Sequence, residues 1–202
     1  MTGVFGGSFN PPHVGHLAVA EACAEAAGLD RVVWVPAATP PHKQEAPDLA
    51  PAGVRLRMVE AAVAGNDRFR VSDVEIARGD VSYTVDTLRQ LHADGAGPLA
   101  LILGSDSLAG FVGWREPEAI VELARLVVYR RPGDGVVPDA LPAWLAAVVT
   151  WVDGPLLEIS STELRRRIAA GRTVRYLVPD AAREVVAAEG LYTAAGPEGA
   201  HP

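Results

Sequence analysis

The chain alternates between short apolar runs and longer stretches in which apolar residues recur every three or four positions. The short runs predict strands buried on both faces, because such strands lack the polar alternation of a half-exposed sheet. The longer stretches predict helices with one apolar face. Strands are expected at 4–5, 31–36, 69–72, 99–103, 126–129 and 148–152, and helices at 17–27, 52–64, 120–123 and 142–147, with further helices ending at 92 and 188.

Strand, helix and strand at this spacing imply right-handed parallel crossovers, which build an α/β fold. We expect a Rossmann-like doubly wound parallel sheet in a three-layer α/β/α arrangement, with a C-terminal helical segment. Residues 1–193 are expected to form a single domain. Residues 194–202 are rich in Gly, Ala and Pro and are expected to be a disordered tail.

Composition narrows the classes of partner. The 202 residues carry a formal net charge of −7, which disfavours nucleic acid as the main ligand. The single cysteine, Cys23, excludes an internal disulfide framework and suits a reducing cytoplasm. No run of about twenty apolar residues predicts a membrane span, and no signal peptide is expected before the first strand.

The loop after the first apolar run is the strongest candidate site. Gly6 and Gly7 let the backbone approach a ligand closely, and the loop leads into a helix N-terminus that favours an anion. His13 and His16 are three residues apart, so both imidazoles can face one point. We interpret the loop as a cradle for a polyphosphate. The alternative, half of a metal site, has no further ligands, because Cys23 lies within the next helix and no second His pair follows.

Residues 6–16 read GGSFNPPHVGH, and this block resembles the HxGH signature of the nucleotidyltransferase superfamily. Its GGSFNPPH portion is similar to that of nicotinate-nucleotide adenylyltransferases. The resemblance implies the nucleotidyltransferase type of fold. It also implies that His13 and His16 are catalytic and that Gly6, Gly7, Ser8 and Phe9 contribute to binding ATP and its phosphates.

Three further segments resemble substrate-binding parts of that family. In TPPHK, at 39–43, the resemblance implies that the Lys and His approach the substrate phosphates, with Lys43 catalytic and His42 helping to bind nicotinate mononucleotide. In SYTVDTL, at 82–88, it implies that Tyr83 and Thr84 contact the nicotinate half. Ser82 or Thr84 is also expected to cap the following helix, whose free N–H groups would suit a carboxylate.

The third of these segments contains Trp114, which the resemblance places in a stack with the pyridine ring. The next residue is often tyrosine in relatives but is Arg115 here. We therefore assign Arg115 to the nicotinate mononucleotide site through its backbone N–H, with its side-chain contribution left open.

Two other segments resemble nucleotide-binding elements. Gly104 and Asp106, in GSDSL, match an element that touches the ribose and adenine, although Asp106 could instead cap a helix. Ile159, Ser160 and Ser161 open ISSTELR, which resembles the ISSTxIR signature. There the serines and Arg165 would grip the β- and γ-phosphates, a task that suits a planar and permanently charged guanidinium.

The resemblance implies adenylyl transfer from ATP to nicotinate mononucleotide, giving deamido-NAD and pyrophosphate. Mg²⁺ is expected to arrive with ATP, and no protein metal site is predicted. Alternatives are another phosphorylated acceptor, such as nicotinamide mononucleotide or phosphopantetheine, and a non-catalytic nucleotide-binding module on the same fold. A monomer or homodimer is expected, and Arg130 and Arg131 receive no role.

Overall fold

The computed structural model describes residues 1–40, 48–130 and 141–193. Its sheet has six strands in the order β3-β2-β1-β4-β5-β6, and every neighbouring pair is parallel. The strands are β1 Thr2–Gly7, β2 Arg31–Pro36, β3 Phe69–Val71, β4 Leu99–Gly104, β5 Ala124–Tyr129 and β6 Val149–Val152. This arrangement confirms the predicted doubly wound parallel sheet.

Helices cover both faces of this sheet. They are α1 Val14–Ala26, α2 Ala52–Val63, α3 Val74–Arg78, α4 Thr84–Ala93, α5 Ser105–Ala109, α6 Pro117–Leu123, α7 Ala143–Ala146, α8 Ser161–Ala169 and α9 Asp180–Ala188, with a 3₁₀ turn at Phe111–Gly113. None of the helices in the described part of the chain combines the length and the apolar character that a membrane span requires.

Alternate residues of the central strand enter two different cores. Phe5 packs with α1 and α2 on one face of the sheet, whereas Val4 packs with α4 and α6 on the other. Strand β4 divides in the same way, with Ile102 on the first face and Leu101 on the second. Because both faces are covered, the strands contain continuous apolar runs, as the sequence indicated.

The strand order reverses direction between β1 and β4. On one side of this point the chain adds strands outward from β1 to β2 and β3. On the other side it adds them outward from β4 to β5 and β6. The carboxyl ends of β1 and β4 therefore flank a crevice, the usual ligand position in open α/β sheets. The loop after β1 and the segment after β4 both begin at this edge.

Several element boundaries differ from the sequence prediction. Strand β1 extends over six residues rather than two, because its first residue pairs with both β2 and β4. The short helices α3 and α5 were not predicted, since five residues are too few to show a helical period. The predicted C-terminal helical segment is present as α8 and α9, and Val186 of α9 packs on Met58 of α2.

Candidate active site

The two histidines of the first loop stack against each other at the start of α1. His13 is the residue immediately before the helix, and His16 lies in its first turn. Their ring centroids are 3.7 Å apart with an angle of 32° between the rings. The backbone N–H of His13 donates to Nδ1 of His16 over 3.2 Å. The predicted convergence of the two imidazoles is therefore present, and the helix N-terminus lies beside them.

Gly15 makes this stacking possible. A Cβ atom at position 15 would lie 3.0 Å from Nδ1 and 3.1 Å from Cε1 of His13, closer than real Cβ atoms normally approach. An alanine here would require the imidazole to shift by a few tenths of an ångström. Glycine at this place in HxGH is thus a steric requirement of the histidine position.

Phe9 supports the loop from within the core. Its ring is 2% exposed and meets His16 edge to face, with the centroids 5.2 Å apart. Gly7 permits this packing, because a Cβ there would lie 3.0 Å from the Phe9 ring. The sequence assigned Phe9 to the ATP site, but its side chain is a core residue, which leaves only its backbone for ligand contact.

Helix α8 docks onto the first loop from the other end of the chain. Ser160 caps the helix, its hydroxyl accepting from the N–H of Glu163. Ser161 Oγ donates to the carbonyl oxygen of Pro11 over 2.9 Å, and Arg165 Nη1 donates to that of Asn10 over 2.9 Å. The structure thus brings the ISSTELR segment and the histidine loop together.

Arg165 also holds a carboxylate. Its Nε and Nη2 both donate to Oδ2 of Asp48, over 2.8 and 2.5 Å. The Arg165 side chain is only 12% exposed. The guanidinium is therefore directed toward an anion that belongs to the chain itself.

A cavity of about 400 Å³ opens beside the histidines. Its polar lining comprises His13, Glu158, Ser160 and Glu163, and its apolar wall includes Tyr129, Leu156 and Ile159. Leu156 is 57% exposed, so this wall offers apolar surface to a ligand. The combination of imidazole, hydroxyl and apolar wall suits a nucleotide with its phosphates at the histidine end.

Gly104 and Asp106 lie at the neighbouring strand end but do not line that cavity. Gly104 precedes α5 and pairs in register with Tyr129, while Asp106 is exposed in the first turn of α5. The alternative assigned to Asp106, a helix cap, is wrong, because Gly104 occupies the capping position and no side chain caps this helix.

A second cavity, of about 210 Å³, joins the residues predicted for the pyridine ring. Its lining comprises Ser82, Tyr83, Thr84, Gly113, Trp114, Arg115 and Ile120. The four residues assigned to nicotinate mononucleotide therefore come together, although about thirty positions separate Tyr83 and Thr84 from Trp114 and Arg115. Trp114 is partly buried and packs on Phe111, with ring centroids 5.2 Å apart.

The predicted cap of α4 by Ser82 or Thr84 is wrong. Thr84 is already the first helical residue, and Tyr83 occupies the capping position without a side-chain hydrogen bond to the helix. The buried Ser82 hydroxyl instead accepts from the N–H of Ala38 over 3.0 Å. The N-terminus of α4, uncapped by any side chain, borders the second cavity.

Some predicted residues lie elsewhere or outside the description. His42, Lys43 and Arg131 fall outside the described residues. Arg130 stacks over Trp151, with its guanidinium carbon 5.1 Å from the ring centroid, at the far side of the sheet from β1. That contact gives Arg130 a packing role at β6.

Arg55 is a site-supporting residue that the sequence analysis missed. It is completely buried in α2, and it donates to three carbonyl oxygens, those of Ser8, Ala38 and Ala50, each over 2.9 Å. These three carbonyls belong to the loops after β1 and β2 and to the segment before α2. Arg55 lies on the same buried face of α2 as Val59. A charged residue on that apolar face was the signal by which the sequence could have identified it.

Asn10 is a second missed residue. Its Oδ1 accepts from the N–H of Ala50 and from the Tyr192 hydroxyl, and its Nδ2 donates to the carbonyl of Asp48. Burial raises the pKa of Tyr192, so its hydroxyl stays protonated as a donor. The C-terminal end of the described chain is thereby fastened to the histidine loop.

Known proteins resemble this chain over nearly its whole length. The family model described as cytidylyltransferase-like matches residues 4–167. The chain is 49% identical over 193 residues to a probable nicotinate-nucleotide adenylyltransferase of Salinibacter ruber, covering 94% of this chain and 96% of the relative. It is 42% identical over 210 residues to one of Citrifermentans bemidjiense, covering 94% and 97%.

A solved structure shares the fold. The nicotinic acid mononucleotide adenylyltransferase of Plasmodium falciparum, complexed with NaAD, superposes with a TM-score of 0.76 at 17% identity, covering 95% of this chain and 96% of that one. The architecture, the loop geometry and these relatives agree. The chain belongs to the cytidylyltransferase-like family and, within it, to the nicotinate-nucleotide adenylyltransferases.

Proposed function

We propose that the protein transfers the adenylyl group of ATP to nicotinate mononucleotide, giving deamido-NAD and pyrophosphate. The observation that carries this proposal is the docking of α8 on the histidine loop. It unites two imidazoles, two serines and a guanidinium at the start of α1. Such a set of donors suits a triphosphate, because charge-assisted hydrogen bonds to phosphate are strong. The names of the relatives, and the NaAD complex of the Plasmodium protein, support the same reaction.

The proposed chemistry is one in-line displacement. A phosphate oxygen of nicotinate mononucleotide forms a bond to the α-phosphorus of ATP while the bond from that phosphorus to the bridging oxygen breaks. The electron pair of the broken bond leaves with pyrophosphate. No side-chain nucleophile is required, so catalysis consists of positioning and charge stabilisation.

The residues divide this work between them. His13 and His16 hold the phosphates and stabilise the five-coordinate transition state, and Arg165 takes charge that develops on pyrophosphate. Lys43 is proposed for the same charge, and His42 for the mononucleotide, on the basis of the sequence resemblance. Mg²⁺ is proposed to enter with ATP, held by phosphate and water oxygens. In the described residues no three His, Cys, Asp or Glu side chains cluster as a metal site.

The second cavity is proposed to hold the pyridine ring. Its volume of about 210 Å³ suits one small aromatic ring, and Trp114 forms part of its wall. An offset stack is worth roughly 0.5–1.5 kcal/mol beyond area burial. The uncapped N-terminus of α4 faces the same cavity and favours a negative group on the ring.

The reaction is tested by pyrophosphate release from ATP and Mg²⁺ with nicotinate mononucleotide as acceptor. We expect turnover with this acceptor and none with phosphopantetheine. His16→Ala should lower kcat by roughly 100-fold or more, as loss of a transition-state donor does. His92, at the end of α4 and remote from the histidine loop, supplies the matched control: His92→Ala should keep full activity.

The ring assignment has a separate test. Trp114→Ala should raise the KM for nicotinate mononucleotide about tenfold while the KM for ATP stays constant, because stacking affects only one substrate. An equal rise of both KM values would contradict the assignment. Absence of pyrophosphate release with every acceptor would instead support a non-catalytic module.

The proposal also covers the cellular compartment and the oligomeric state of the protein. We propose the cytoplasm as the compartment, which the single cysteine supports. A monomer or homodimer stays a prediction, and sedimentation measurements would decide between the two.

A further inference from the structure

Arg115 stands at the rim of the second cavity, at the position where relatives often carry tyrosine. Its guanidinium carbon lies 4.7 Å from the centroid of the Tyr83 ring, and the side chain is 51% exposed. Tyr83, Trp114 and Arg115 all line this cavity. The cation is therefore held over an aromatic face, at the mouth of a space of ring size.

The acidic neighbours of Arg115 contact it only loosely. Asp86 Oδ2 is 3.6 Å from its Nη1, and Glu116 Oε1 is 3.8 Å from its Nε, both beyond hydrogen-bond length. Glu116 makes its short contacts with Arg89 instead, at 2.6 and 3.2 Å. Arg115 thus keeps donors that can pair with an incoming carboxylate.

A second source of positive potential faces the same space. Helix α4 begins at Thr84, and the side chain of Tyr83, which occupies its capping position, makes no hydrogen bond to the helix. Thr84 and Arg115 line the same cavity. A negative substituent on a ring in this cavity would meet the helix N–H groups and the guanidinium together.

We propose that Arg115 selects the acid form of the pyridine mononucleotide by pairing its guanidinium with the nicotinate carboxylate. The neutral amide of nicotinamide mononucleotide cannot form this charge pair. The inference rests on the proposed function and adds a specificity-determining side chain to it. The amide also offers the guanidinium one acceptor oxygen where the carboxylate offers two.

The discriminating quantity is the ratio of kcat/KM for nicotinate mononucleotide to that for nicotinamide mononucleotide. Arg115→Gln should lower this ratio about three- to fivefold, the upper range for one partly exposed charge pair. The loss should appear as a higher KM for the acid, with the KM for ATP unchanged. Arg115→Lys keeps the positive charge but loses the paired N–H donors of the guanidinium. It should retain part of the preference for the acid over the amide.

Arg89 offers a matched control. It contacts the same two acids, at 3.7 Å from Asp86 and 2.6 Å from Glu116, yet it does not line the cavity. Arg89→Gln removes an equal charge from the cluster and should leave the ratio unchanged. A melting curve for each variant checks that the fold is retained.

The outcomes separate the two proposals. An unchanged ratio in Arg115→Gln, or an equal fall in Arg89→Gln, would overturn the role of Arg115 while the adenylyltransferase activity stands. Equal use of both mononucleotides by the unaltered protein would overturn it as well. Only failure of the unaltered protein to release pyrophosphate with any acceptor would refute the function itself.

Discussion

Arg165 and Asp48 form a fork in which Nε and Nη2 of the guanidinium both donate to one carboxylate oxygen, over 2.8 and 2.5 Å. The remaining nitrogen, Nη1, donates to the carbonyl of Asn10 in the histidine loop. The carboxylate therefore occupies the face of Arg165 that the proposed mechanism gives to a phosphate. Binding of ATP must compete with Asp48 for that face.

Asp48→Asn should lower the KM for ATP several-fold without lowering kcat. The amide keeps the size of the side chain but no longer neutralises the guanidinium, so phosphate displaces it more easily. Steady-state kinetics with varied ATP measures this. Asp180→Asn breaks a comparable surface pair with Arg183 on α9 and should leave the KM unchanged. A higher KM in Asp48→Asn would show that the carboxylate positions Arg165 for binding.

Gly15→Ala should lower kcat about tenfold with little change in the melting temperature. The added methyl group would lie 3.0 Å from Nδ1 of His13, so the imidazole would have to shift by a few tenths of an ångström against His16. A misplacement of about 1 Å costs roughly 100-fold, so a smaller shift costs less. The matched control is Gly53→Ala in α2, where a Cβ meets nothing within 4 Å. Full activity of Gly15→Ala would contradict the steric account.

Arg55→Lys should destabilise the fold by roughly 3 kcal/mol, because the carbonyls that a completely buried guanidinium joins lose their donor and one ammonium cannot reach all three. These carbonyls belong to Ser8, Ala38 and Ala50. Urea unfolding measures the change. Arg57→Lys, on the exposed side of the same helix and paired with Glu189, is the control and should change stability far less. Equal effects of the two substitutions would argue against the role of Arg55.

The sequence predicted the sheet well because the pattern that indicates each strand lies within the strand itself. Each strand is an apolar run covered on both faces, so hydrophobicity alone locates it. Recognisable motifs likewise singled out His13, His16 and Ser161, and the structure brings them together. The short helices α3 and α5 were missed because five residues are too few to show a helical period, and the extent of β1 because it depends on pairing with the distant strand β4.

Residues whose roles depend on tertiary contacts were beyond local patterns. Arg55 is an arginine that is completely buried, against the usual preference of its type for the surface. Serine is a residue type that commonly caps helices, but the Ser82 hydroxyl accepts from the N–H of Ala38, forty-four positions away. Phe9 sits among glycines and polar residues yet fills the core. In each case at least one partner is distant in sequence: Ser8 for Arg55, Ala38 for Ser82 and Trp34 for Phe9.

Glu75 is a buried carboxyl group that costs stability when it ionises. It is 6% exposed in α3, and burial raises its pKa although the Thr87 hydroxyl donates to it over 2.6 Å. The folded protein therefore holds this proton to a higher pH than the unfolded chain does. Stability is lost as pH rises from the unfolded pKa through the folded one, and the full penalty is present above both.

Glu75→Gln removes this penalty, because glutamine does not ionise and its carbonyl still accepts from Thr87. The melting temperature of the variant relative to the unaltered protein should therefore rise between pH 4 and pH 8. Glu122→Gln removes the same charge from an exposed position on α6 and controls for net charge. A variant that is less stable than the unaltered protein at pH 8 would show that the attraction of Glu75 to Arg55 and Arg78 outweighs its burial.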